Sequence, residues 1–131
     1  GWVMVRSKEL TSDALTVAML EGDFYSSSGV MLSKLFRGKS SIELEVDVQT
    51  TARELESEFL FGRLVKKGEP GTTIEFIGPH GEIVQSTIGN KASCKIKGAY
   101  LRGKATHRVK KEDGSLREYY AWTQPIFADG R

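Results

Sequence analysis

The stretch Ile42-Glu43-Leu44-Glu45-Val46-Asp47-Val48 decides the fold. Its apolar residues fall at every second position, with carboxylates between them. A strand turns successive side chains to opposite faces, so this pattern sends one face into a core and the other into water. Working outward, residues 30–36 read as the strand before it. Downstream, Ile74 and Phe76 run into Gly78-Pro79-His80-Gly81, a turn by its chemistry. Residues 83–88 return from that turn and complete a hairpin. Residues 93–97 and 99–109 carry further strand signals. Glu112-Asp113-Gly114-Ser115 is a second tight turn, marked by its Asp-Gly pair, and residues 116–127 read as the last strand. Residues 50–67 are ambiguous, and 52–61 is taken as a strand with a long loop rather than a helical turn.

Six or seven short strands divided by turns predict a mainly β protein, an antiparallel β-sandwich of immunoglobulin-like type with one short N-terminal helix. Ile42, Leu44, Val46, Ile74, Phe76, Trp122 and Ile126 are expected to face inward. The helix lies near the front. Thr11 stands at the N-cap position, Asp13 falls in the first turn, and Gly22 supplies the stop. Leu15, Ala18 and Met19 form one apolar stripe, which Val17 and Leu20 widen. Before the helix, Trp2-Val3-Met4-Val5 is apolar and strand-like. Residues 22–29 read as a helix-to-strand connection.

Composition sets few demands on partners. The 131 residues suffice for one domain with a sizeable core. A net charge of +2 with 27% charged residues requires neither nucleic acid nor membrane. The apolar runs are too short to span a bilayer as a helix. Cys94 is the lone cysteine, so no intrachain disulfide forms, and its setting predicts a small packed residue.

Candidate chemistry is sparse. His80 and His107 are the only histidines and form no H-x-H or H-x-x-x-H pair. His80 reads as a turn residue, and His107 lies among basic residues, a poor place to hold a cation. Ser26-Ser27-Ser28-Gly29 is not a nucleophile elbow. Glu43, Glu45 and Asp47 share one strand face, which reads as solvated rather than as a calcium site. Gly98, Gly103 and Gly114 do not build a phosphate-binding loop. One charge pattern carries more weight: residues 90–111 contain no acid and hold Lys91, Lys95, Lys97, Arg102, Lys104, Arg108, Lys110 and Lys111. Such a stripe can track a polyanion. With Tyr100 its only aromatic, nucleic acid is disfavoured. The competing expectation pairs these cations with the acidic strand across a sheet.

Two groups of residues carry a family resemblance. One is Trp2-Val3-Met4-Val5-Arg6-Ser7-Lys8-Glu9-Leu10-Thr11, then Ala14-Leu15 and Gly22-Asp23-Phe24-Tyr25-Ser26-Ser27-Ser28-Gly29-Val30. It resembles the end of the catalytic domain in PHP-type (polymerase and histidinol phosphatase) predicted metal-dependent phosphoesterases. The other is Tyr100-Leu101-Arg102-Gly103-Lys104-Ala105, then Asp113-Gly114 and Ala121-Trp122-Thr123-Gln124-Pro125-Ile126-Phe127. It is similar to the C-terminal sandwich strands of the same proteins. Residues 109–120 are longer than that family's usual last hairpin.

The resemblance implies two parts: residues 1–29 as the strand, helix and connection that end a catalytic domain, and 30–131 as a β-sandwich accessory domain. The family's divalent metals are held by His, Asp and Glu of the catalytic domain, so it implies no catalytic residue, metal ligand or cofactor within this chain. It places Tyr25, Ser27, Ser28 and Gly29 where they approach a parent active site. The implied role is structural or in assembly. Its implied partner is the chain's own catalytic domain; the apolar Trp2–Val5 run and the helix stripe themselves predict cover, either by folding back onto the sandwich or by a second copy of the chain. The alternative is an independent binding module for polyanions or glycans, using Lys95, Lys97, Arg102 and Lys104. An intact small hydrolase lacks the nucleophile-base pair it would need.

Overall fold

In the computed structural model, strand β4 (Ser41–Val46) lies at the centre of a three-stranded sheet, between β3 (Leu32–Arg37) and β7 (Lys91–Lys95). The structure describes residues 1–54, 71–110 and 113–130. Ile42, Leu44 and Val46 are fully buried, and the acids between them point outward. The facing sheet has seven strands. Its order is β1 (Trp2–Val5), β2 (Phe24–Ser27), β9 (Leu116–Thr123), β8 (Tyr100–Lys110), β5 (Gly71–Ile77) and β6 (Ile83–Ile88), with β10 (Ile126–Phe127) on the end of β8. All pairings are antiparallel. The chain is thus a mainly β, antiparallel sandwich with a short N-terminal helix, α1 (Ser12–Leu20).

The core lies between the sheets. Ile42, Leu44 and Val46 meet Ile74, Phe76, Leu101, Ala105, Val109 and Ile126. Fully burying one such aliphatic side chain contributes about 1.5–3 kcal/mol. The sheets approach closely at Gly103, where an added Cβ would lie 2.6 Å from Leu44 Cδ1. Cys94 is buried and free, packed as a small core residue. Arg37 ties the layers together, its Nη1 donating to Gly22 O at 2.6 Å and its Nη2 to Pro125 O at 3.0 Å. Burial pushes its guanidinium below the usual range.

Several expectations are corrected. Trp122 does not face the core. It lies opposite Lys104 on β8 and shares its outward face, whereas its neighbours Ala121 and Thr123 are buried. The last strand is two strands, because Pro125 lacks the N–H needed to continue a ladder. Residues 22–29 contain β2, which two neighbouring strands hold in place despite its serines. Residues 48–54 form a helix, α2 (Val48–Glu54), where residues 52–61 were expected to be extended; 55–67 lie outside the described residues. Asp47 is the reason. Its Oδ1 accepts from Thr50 N–H at 2.9 Å and its Oδ2 from the Thr50 hydroxyl at 2.7 Å, capping the helix start. These bonds hold its carboxyl below the usual range. In α1 the Thr11 cap forms, and its Oγ1 accepts from Ala14 N–H at 3.3 Å. The expected stripe is only partly buried: Ala18 is inside, Leu15 half-buried, and Val17, Met19 and Leu20 exposed.

Candidate binding face

Cross-strand register builds the most chemically featured surface, on the outer face of the large sheet. Ser26 on β2 lies beside Trp122 on β9, which lies beside Lys104 on β8. Along β9, Glu118, Tyr120 and Trp122 share this face at period 2, as do Arg102, Lys104 and Arg108 on β8. The Arg102 guanidinium carbon sits 4.6 Å from the Trp122 ring centroid. Lys104 Nζ sits 4.9 Å from that centroid and 4.7 Å from that of Tyr120. Each such contact contributes about 0.5–1 kcal/mol at an exposed site and more where water is excluded. Arg108 is occupied otherwise, with Nε on Glu118 at 2.9 Å and Nη1 on Thr73 Oγ1 at 3.1 Å. Glu118 also accepts from the Tyr120 hydroxyl, which holds the carboxyl low and pushes the phenol up.

Beside Trp122, on the side away from β8, lies a shallow groove of about 370 Å³. Trp2, Val3, Ser26, Ser28, Tyr120 and Trp122 line it. Ser28 is fixed in place, its N–H donating to Tyr120 O and its Oγ accepting from Tyr120 N–H, both at 2.9 Å.

The residues singled out from sequence do not converge on one site. Tyr25 is buried, its hydroxyl accepting from Leu32 N–H at 3.1 Å, and burial raises its phenol. Ser27 is also buried, its hydroxyl donating to Val30 O at 2.6 Å and accepting from Gly29 N–H at 3.0 Å. Of the three, Ser28 alone is exposed. The basic run divides between layers. Lys95 projects from the outer face of the three-stranded sheet opposite Ser41, and Lys97 follows it. Arg102 and Lys104 project from the other sheet. Lys111 lies outside the described residues. Cross-strand pairing holds for Lys91, whose Nζ is 4.0 Å from Glu43, while Lys34 reaches the same carboxylate at 2.9 Å. The hydrogen bond from Lys34 keeps Glu43 below the usual carboxylate range.

His80 is exposed in the Pro79–Gly81 turn, and His107 is fully buried against Thr72. Among the described residues no three His, Cys, Asp or Glu side chains gather as metal ligands. Tyr120 and Trp122 are the site residues the sequence reading missed. The small pair Ala105 and Ala121, opposite each other inside, signals the register that turns them outward. No family model, curated protein or solved structure matches the chain.

Proposed function

We propose that this chain is a non-catalytic β-sandwich domain of a PHP-type metal-dependent phosphoesterase, with a structural or assembly role. The family rests on the resemblance. The observation that carries the role is the apolar edge formed by β1 and α1. Of the eleven exposed large hydrophobics among the described residues, seven fall within residues 2–20: Trp2, Val3, Met4, Leu10, Val17, Met19 and Leu20. Strand β1 is apolar on both faces and lies at the end of the sheet. That is the composition of a strand covered on both sides, and an uncovered edge of this kind invites pairing with another chain. A catalytic domain of the same protein fits as the cover. The two segments that carry the resemblance also meet as β2 and β9.

The coding frame upstream of Gly1 tests the family directly. Histidine pairs of H-x-H type and a final Asp-x-His are expected there, and a frame without them overturns the reading. For the 131 residues alone, the expected result is no phosphodiesterase or phosphatase turnover with added manganese or zinc, since those metals supply the polarised water such hydrolysis needs. Metal-dependent turnover lost on His107→Gln or His80→Gln would refute the accessory role.

Hydrogen exchange tests the edge. Arg6 N–H donates to Asp23 O at 2.9 Å, and bonded pairs alternate along an antiparallel ladder. Met4 is therefore bonded inward to β2, and the Val3 and Val5 amides face the open edge. In dilute solution Met4 and Arg6 are expected to be protected while Val3 and Val5 exchange rapidly. Covering the edge with the catalytic domain is expected to protect Val3 and Val5. Their protection at high concentration of this chain alone instead identifies a second copy as the cover.

A further inference from the structure

We infer that the groove over β2 and β9, together with Arg102 and Lys104, binds an acidic oligosaccharide of uronic-acid type. A sugar ring sits against Trp122, and its carboxylate pairs with the two cations. This goes beyond the structural role above and does not depend on it.

Charge complementarity supplies the first argument. Arg102 has no carboxylate partner among the described residues, whereas Lys104 lies in the field of Glu118; both lie on the Trp122 ring. Arg102 Nε is buried with no hydrogen-bond partner among the described residues, so the guanidinium is under-bonded there. A guanidinium is a planar fork that matches a carboxylate in bidentate fashion. Arg108, the next cation on the same face, is already bound to Glu118.

The groove supplies the second. Aromatic walls with few polar groups are what orient a small ligand. Here Trp122 and Tyr120 provide the apolar surface for the C–H face of a sugar. The Ser26 hydroxyl, without an intramolecular partner among the described residues, faces the ligand's hydroxyls. From β2 to β8 is about 10 Å, two interstrand spacings, room for roughly two sugar rings. The charge layout disfavours single-stranded nucleic acid, which needs a cationic track along its backbone. On this face Glu75 stands opposite Lys104 and Glu118 opposite Arg108, so acids interrupt the cations, and Lys95 belongs to the other sheet.

The test is a titration of the intact chain with tri-galacturonate, followed by the indole N–H resonances of Trp2 and Trp122 and by tryptophan fluorescence. The expected result is saturable binding with the Trp122 resonance shifted, weakened about tenfold or more by Arg102→Gln. Arg102→Gln keeps the ring and the sheet, so a circular dichroism spectrum matching the parent separates lost binding from lost folding. Trp122→Ala is expected to remove binding altogether. No shift at millimolar ligand overturns the inference. So does equal affinity for a neutral trisaccharide, or tighter binding of oligothymidylate than of tri-galacturonate.

Discussion

Leu44→Ala is expected to lower the unfolding free energy by about 2–5 kcal/mol, while Glu43→Ala, one residue away on the opposite face, leaves the melting temperature almost unchanged. Leu44 is fully buried against the facing sheet, and Glu43 points to solvent with its carboxylate on Lys34. Equal effects would mean that the alternation does not set the layers. A sharper form of the test uses Gly103. Its backbone does not lie in the left-handed region, so alanine there is disfavoured by space alone. The new Cβ would lie 2.6 Å from Leu44 Cδ1, with Thr123 Cγ2 next at 3.4 Å. Gly103→Ala alone is therefore destabilising. In the Leu44→Ala background the obstructing atom is gone, and the methyl fills part of the cavity. The double variant is expected to be more stable than the sum of the single effects by about 0.5–3 kcal/mol, the coupling of residues in contact. Additivity within about 0.5 kcal/mol would show that the sheets do not meet at this point. Denaturant midpoints at constant slope are the measurement.

The sandwich was legible because its signal is local and repeated. Ile42, Leu44 and Val46 declare a buried face by period alone, and the Asp113-Gly114 turn joins β8 to β9, its Asp113 Oδ1 accepting from Ser115 N–H at 2.9 Å. The Thr11 cap was equally plain. What failed depended on tertiary partners. Ser26 and Ser27 have little intrinsic preference for a strand, and β2 exists because β1 and β9 flank it. Asp47 was read as the third acid of a strand face, yet it ends that strand and caps a helix. The Asp47-x-x-Thr50 spacing was the overlooked signal.

Trp122 failed for a different reason. A large aromatic near the end of a strand is easily assigned to the core, but the strand's own parity contradicts that. Tyr119, Ala121 and Thr123 are inside, so Tyr120 and Trp122 must be outside. The basic run misled in the same way. Continuous in sequence, it crosses from one sheet to the other between Lys95 and Arg102, and only the chain path shows that its cations cannot act as one stripe. The candidate face was therefore illegible as a unit, since its residues come from β2, β8 and β9 and meet through register.

Acid is expected to destabilise the fold through His107 before the carboxylates titrate. This histidine is fully buried on the inner face of β8, beside Thr72 on β5 and Tyr119 on β9. Its Nδ1 is 2.9 Å from Thr72 Oγ1, and its Nε2 is buried without a partner among the described residues. A proton added to the ring brings a charge, and an N–H with no acceptor, into the interior, and burial accordingly holds the imidazole below its ordinary value of 6.5. The unfolded chain keeps a value of about 6.5. Between the folded value and that one, the unfolded state binds more protons, so stability falls as pH drops through this window and levels off below it. Each unit of separation costs about 1.4 kcal/mol. Glu43, Asp47 and Glu118 are also held below their ordinary values, and their contributions are lost at lower pH, as it falls through and beneath the ordinary carboxylate range. The window from about pH 6.5 to pH 5 therefore isolates the histidine. His107→Gln is expected to be less stable at neutral pH, because the site is shaped for an imidazole, and to show a flatter profile across that window. Parallel profiles for the parent chain and His107→Gln would mean that the ring accepts its proton without leaving the core.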